Sequence, residues 1–204
     1  MDVTTSELVQ RLNGDLAAVV ERVAPALVQV HSGVGGGAGT IWHPDGLIVT
    51  NAHVARGGPL AVTLADGRRL PARALARDPS RDLAALVVEA AGLPTMRIGD
   101  SRRLQAGQWV LALGHPWGVP GVVTAGVVIG LAATEEGGVW PGREWVVVSA
   151  RLRPGYSGGP LVDAEGRLVG INTIMTGPAT GMAVPVHVAA TFLREALQRE
   201  PVAA

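Results

Sequence analysis

The sequence predicts an all-β chain: two antiparallel six-stranded β-barrels with a helix before them and a helix after them. Three observations carry this. Short β-branched and apolar runs recur along the chain, each bounded by Gly, Pro or Asp-Gly. The 204 residues include 28 Gly and 14 Pro, which favours many turns over long helices. A stretch poor in β-branched residues, Ala90 to Gly107, splits the runs into two sets. The implied divisions are residues 1–25, 26–95, 96–186 and 187–204, all within one domain.

In chain order, Ser6 to Val23 reads as an amphipathic helix. Leu8, Leu12, Leu16, Val19 and Val23 recur at three- and four-residue spacing. Thr5 or Ser6 is the expected cap, Glu7 lies in the first turn, and Pro25 lies past the end. The helix has two readings: packing on its own barrel, which is favoured, or joining subunits. The runs LVQVHS, GTIW, LIVTNA, LAVTLA, ALARD and LAALVVE give the first barrel. HPDG and ADGRR supply Asp-Gly hairpin turns. GVGGGAG, Gly33 to Gly39, precedes a strand rather than opening a helix, so it fails as a nucleotide-binding loop. It reads instead as a flexible hairpin loop. After the connector come WVLALG, VVTAGVVIGLA, WVVVSA, PLVDAEGRLVGINTI and MAVPV, with a polar loop at Glu135 to Arg143. His187 to Arg199 closes the chain as a helix with Val188, Phe192, Leu193 and Leu197 on one face.

Composition excludes several functions. Net charge is +0 and all 17 cationic residues are Arg, which offers no basic footprint for nucleic acid or an anionic membrane. There is no Cys, so disulfides, thiol nucleophiles and thiolate metal sites are impossible. The five His form no HxH or HExxH pattern, so no metal and no cofactor is expected. The longest apolar run, Gly121 to Ala133, is too short and Gly-rich to span a bilayer. Asp2, Glu7, Glu21 and Arg22 break any secretory signal pattern. A chain starting here would stay in the cytoplasm; a trimmed N-terminus is the alternative.

The chemistry centres on GYSGGPL, Gly155 to Leu161. A serine flanked by glycines can stand on a sharp turn with bare backbone around it. The Gly155–Tyr156–Ser157 backbone is then a candidate oxyanion hole, with the N–H groups of Gly155 and Ser157 as its donor pair. A serine nucleophile needs a base, and the base needs an orienting acid. LIVTNAHVA offers His53, and DPSRDLAALVV offers Asp82, with Asp78 as its competitor. The order is His, Asp, Ser, with gaps of 29 and 75 residues.

TNAHV, RDLAAL and GYSGGPL together resemble the trypsin-like serine proteases, and most closely their HtrA (Deg) branch. GAGTIWHPDGLIVTNAHV, ALGHPWGVPGVVTAGVVIG, GRLVGINTI and TGMAVPV extend the resemblance over Leu27 to Leu197. The resemblance implies a serine endopeptidase acting on unfolded or peptide substrates through His53, Asp82 and Ser157. It favours Asp82 over Asp78, because Asp82 abuts the LAALVV run. It also implies a primary pocket walled by Arg151 and Leu152, by Asn172, Thr173 and Ile174, and by Met182 and Ala183. It implies a homotrimer joined through the N-terminal segment. The chain departs from the branch at Tyr156, where Asn is usual, at Arg151 and Arg153, and at GHPWG, where His115 reads as structural. These departures keep one alternative in view, a catalytically silent peptide-binding module, and the resemblance itself implies another, a chaperone-like protein. Arg151 is expected to turn to solvent and leave the pocket aliphatic; turned inward, it would select acidic residues.

Overall fold

The computed structural model describes residues 4–133, 142–177 and 180–199. Helix α1 (Thr5–Val23) leads into β1 (Leu27–Ser32), β2 (Gly35–His43), β3 (Leu47–Thr50), β4 (Leu60–Thr63), β5 (Arg69–Asp78) and β6 (Leu83–Val88). A connector leads to β7 (Trp109–Gly114), β8 (Val122–Ala133), β9 (Glu144–Val148), β10 (Pro160–Asp163), β11 (Leu168–Gly177) and β12 (Thr180–Pro185). Helix α2 (Val186–Arg199) follows. Each set of six strands closes into its own antiparallel barrel, in the orders β1-β2-β3-β6-β5-β4 and β10-β11-β12-β9-β8-β7.

Closure explains the residue pattern. A closed sheet has no free edge, and its inward face needs apolar side chains throughout. Val28, Val30, Ile48, Leu83 and Leu86 are fully buried in and around the first barrel. Val110, Ala112, Val146, Val148 and Leu161 fill the second. Phe192, Leu193 and Ala189 bury α2 in the larger core, beside Trp145. Aliphatic side chains dominate, as a chain with 3% aromatics requires.

Three expectations change. Gly33 to Gly39 is not a loose loop: from Gly35 onward it is strand, with Gly39 opposite Val28 and Gly37 opposite Val30. A Cβ at Gly39 would press on Val30, Ile48 and Val28 at 2.9–3.0 Å. The glycines therefore serve close packing, and their missing side chains hid the strand. The cap of α1 is Thr4, one residue earlier than expected, and it forms a reciprocal capping box with Glu7. Only Val19 and Val23 of the α1 stripe are buried, whereas Leu8 and Leu12 are exposed. Only the C-terminal half of α1 packs on the barrels, and the exposed row is the part a neighbouring subunit could cover. The loop expected at Glu135 to Arg143 lies mostly outside the described residues, and Ile174 outside the described side chains.

Candidate active site

His53 follows β3, and Asp82 sits in the turn between β5 and β6. The β3–β6 pairing, Thr50 opposite Ala84, brings the two ends together. His53 Nδ1 lies 2.8 Å from Asp82 Oδ2 and 3.0 Å from Oδ1. The His53 backbone N–H donates to the same Oδ1 at 3.1 Å. Asn51, two residues before the histidine, donates its Nδ2 to the Asp82 carbonyl at 2.9 Å. Asp82 itself has φ of +54°, a left-handed conformation that a non-Gly residue keeps only when its neighbours over-determine it.

The fourth contact comes from the second barrel. Thr173 in β11 donates its hydroxyl to Asp82 Oδ2 at 2.7 Å. Burial is the largest influence on the Asp82 carboxyl and would raise its pKa. The hydrogen bonds from His53 and Thr173, with the charge of His53, outweigh burial and hold it below the ordinary range. Asp78 faces elsewhere. Its Oδ1 accepts from the backbone N–H of Ser80 at 2.9 Å and of Arg81 at 3.1 Å, which ties up the turn.

Ser157 stands on the loop before β10. Its Oγ donates to the Thr173 carbonyl at 2.7 Å, so one residue touches both the serine and the aspartate. The loop is braced from both barrels. Ala38 N–H donates to the Ser157 carbonyl at 2.8 Å, and Gly158 N–H to the Asn172 carbonyl at 2.8 Å. Thr40 donates to the Gly158 carbonyl, and Thr50 to the Ala38 carbonyl, at 3.3 and 2.7 Å. At Gly37 the fit leaves no room, since a Cβ would fall 2.8 Å from the Ser157 carbonyl oxygen. Tyr156 N–H is spent on the Arg153 carbonyl at 3.0 Å, while the N–H groups of Gly155 and Ser157 donate to no described residue. Gly155, at φ of +105°, is fixed by its carbonyl, which accepts from His115 N–H at 2.9 Å.

Gly158 tests this bracing. Its φ is +87°, and a Cβ there would run into the Ala38 carbonyl and the Thr50 hydroxyl. Gly158→Ala is expected to cost about 3 kcal/mol of stability, read as a lowered denaturant midpoint.

The expected pocket residues separate. Thr173 and Asn172 are buried, and neither side chain forms an open wall. Asn172 donates to the carbonyls of Pro160, at 2.8 Å, and Leu113, at 3.3 Å, behind the serine loop. Leu152, Met182 and Ala183 are buried apolar residues. Leu152 lies so close to Gly181 that a Cβ there would be 2.7 Å from its Cγ. Arg151 is exposed, in line with the solvent-facing expectation. Arg153 stacks over Trp117, 5.2 Å from the ring centroid. An open cavity of about 370 Å³ lies beside Gly155, lined by His31, Gly35 to Gly37, His115 and Trp117. Burial lowers the pKa of His115, and its Nδ1 accepts from Gly121 N–H at 3.2 Å. This bond ties His115 to the end of the loop carrying Trp117. Among the described residues no cluster of three or more His, Cys, Asp or Glu could hold a metal ion. No described helix is long and apolar enough to cross a membrane.

Sequence reasoning took Thr173 for a pocket residue and missed Asn51, Thr40 and Thr50 altogether. Asn51 was the findable one, being two positions from the candidate base. The others act across 12 to 118 residues of sequence and carry no local signal.

Comparison with known proteins agrees with this arrangement. Residues 37–171 match the trypsin-like peptidase domain family. The mitochondrial serine protease HTRA2 of Drosophila pseudoobscura pseudoobscura is 37% identical over 169 residues, 80% of this chain and 39% of that protein. A Halomonas elongata sequence named as a DegP-like periplasmic serine endoprotease is 39% identical over 159 residues, 75% of this chain and 33% of that one. This chain thus spans well under half the length of these curated relatives. Among solved structures, the HtrA-type protease AlgW with a decapeptide superposes with a TM-score of 0.83 at 28% identity, covering 90% of this chain and 68% of that one. AlgW with a tripeptide gives 0.82 at 33% identity, covering 88% and 62%. Two closed barrels, the contact of His53 with Asp82 and the family match lead to one assignment: the chain belongs to the trypsin-like peptidase domain family, and the relatives reported above are HtrA-type proteases.

Proposed function

We propose that the chain is a serine endopeptidase that cleaves extended or unfolded polypeptide through an acyl-enzyme. The observation that carries this reading is the double engagement of Asp82 by His53, through ring Nδ1 and backbone N–H. It leaves Nε2 as the free, basic nitrogen of the ring. In the resting state Ser157 Oγ rests on the Thr173 carbonyl. Attack begins when Oγ turns from that carbonyl to His53 Nε2, and a peptide N–H of the substrate can take the vacated acceptor. His53 removes the Oγ proton as Oγ bonds to the scissile carbonyl carbon. Asp82, held ionised, stabilises the imidazolium without taking its proton. The N–H groups of Gly155 and Ser157 receive the oxyanion, each worth roughly 3 kcal/mol to the transition state. The amine leaves with the proton from His53, and water, deprotonated by the same ring, releases the acid.

Two AlgW neighbours were solved with a decapeptide and a tripeptide, which supports a polypeptide substrate here. With Arg151 exposed and Leu152, Met182 and Ala183 apolar, the residue before the cut is expected to be small and aliphatic. A serine-directed fluorophosphonate provides the test. It should label wild type at Ser157, and wild type should digest casein, whereas Ser157→Ala should do neither. An unlabelled, inactive wild type would move the reading to a silent peptide-binding module.

A further inference from the structure

The turn that carries Asp82 is fastened to the end of α2. Arg81, the residue before the aspartate, donates from both terminal nitrogens to Glu195, at 2.7 Å to Oε2 and 3.4 Å to Oε1. Its Nε lies 3.5 Å from Asp78 Oδ2. A second tie runs from Arg143, just before β9, to the Pro79 carbonyl at 2.8 Å. On the other flank Arg77 Nε donates to the Ala52 carbonyl at 3.0 Å. The turn belongs to the first barrel, yet Thr173, which bonds its carboxylate, belongs to the second. Something must hold the turn in register with β11 while Asp82 stays in its left-handed conformation. The bidentate Arg81–Glu195 pair has the geometry for this, because a planar fork fixes orientation as well as distance.

We propose that Glu195 is a positioning residue for the catalytic acid: through Arg81 it sets the orientation of Asp82 and hence of His53. The proposal rests on the endopeptidase reading above. A hollow of about 250 Å³ between β5 and α2, lined by Arg77, Asp78, Arg81, Phe192 and Glu195, reaches the pair. Both side chains are more than a third exposed, so solvent screens their attraction and little stability depends on it. What depends on it is alignment. Small displacements of a catalytic group far from the mutated atom are costly in rate. Glu195 is thus separable from the fold in a way that Asp82 is not.

The test uses the full chain. Glu195→Ala should lower kcat on a peptide substrate by roughly tenfold, leave KM within twofold, and barely move Tm. The proton NMR signal of the His53 Nδ1–H, bonded to Asp82 at 2.8 Å, should broaden or shift upfield. The exchanged pair Arg81→Glu with Glu195→Arg should restore both. Leu193→Ala, at a buried α2 residue that forms no hydrogen bond or ion pair with the turn, is the control for general loosening of the helix. Two results would overturn the proposal: an unchanged NMR signal in Glu195→Ala, or an equal kcat loss in Leu193→Ala with the same signal change. Because the NMR readout needs no turnover, an inactive wild type would refute the endopeptidase reading while leaving this one decided separately.

Discussion

Ser157→Ala and His53→Ala should each lower kcat/KM on an unstructured peptide by about 10⁵- to 10⁶-fold, and the double variant should be no slower than either single one. Non-additivity is the informative part. Without the ring, the Ser157 hydroxyl keeps its proton; without the hydroxyl, the ring has nothing to activate. What survives is the contribution of Gly155 and Ser157 N–H groups to any attacking water. Both replacements remove side chains that are only partly buried, so the fold and its denaturation midpoint should persist. Losses that multiply in the double variant would mean the two residues act in separate steps.

Asp82→Asn comes next in size, with an expected loss of about 10⁴-fold in kcat. An Asn amide in that place donates to Nδ1, which puts the ring proton on Nε2 and removes the base. The His53 backbone N–H still finds an oxygen, so geometry alone survives. The substitution also has a stability signature. The folded pKa of Asp82 is depressed, so its contribution is present above the unfolded value of about 3.9 and is lost as pH falls through the lower folded value. The difference in urea midpoint between wild type and Asp82→Asn should therefore be constant near neutrality and shrink below about pH 4. Activity within tenfold of wild type would require a different acid, and Asp78, occupied by Ser80 and Arg81, is poorly turned for it.

The barrels were legible because their evidence is local. WVLALG and LVQVHS alternate or run apolar over one strand length, and β7 and β1 have those bounds. Asp-Gly at Asp45–Gly46 marks a turn where Gly46 has φ of +89°. His53, Asp82 and Ser157 could be named as candidates because each sits beside a recognisable apolar or glycine-rich run. Gly35 to Gly39 could not be read as strand, since side-chain alternation vanishes where there are no side chains. The role of Thr173 was equally hidden: its partner is 91 residues away, and a Thr in a strand looks the same whether it lines a pocket or holds a carboxylate. The exposed Leu8 and Leu12 show the limit of periodicity, which reports an apolar face but not what covers it.

The serine loop takes its form from contacts on both sides, with Ala38 and Thr40 reaching it from the first barrel and Asn172 from the second. This sets a rule for the life of a newly made chain. Synthesis delivers His53 and Asp82 long before Ser157, so a half-made chain would hold the proposed base without the proposed nucleophile. A completed second barrel still lacks the donors that shape residues 157 and 158 until the halves meet. On the proposed reading, cutting ability therefore waits until the two barrels have closed on each other. A nascent or damaged copy with its halves apart is chemically blunt towards its neighbours.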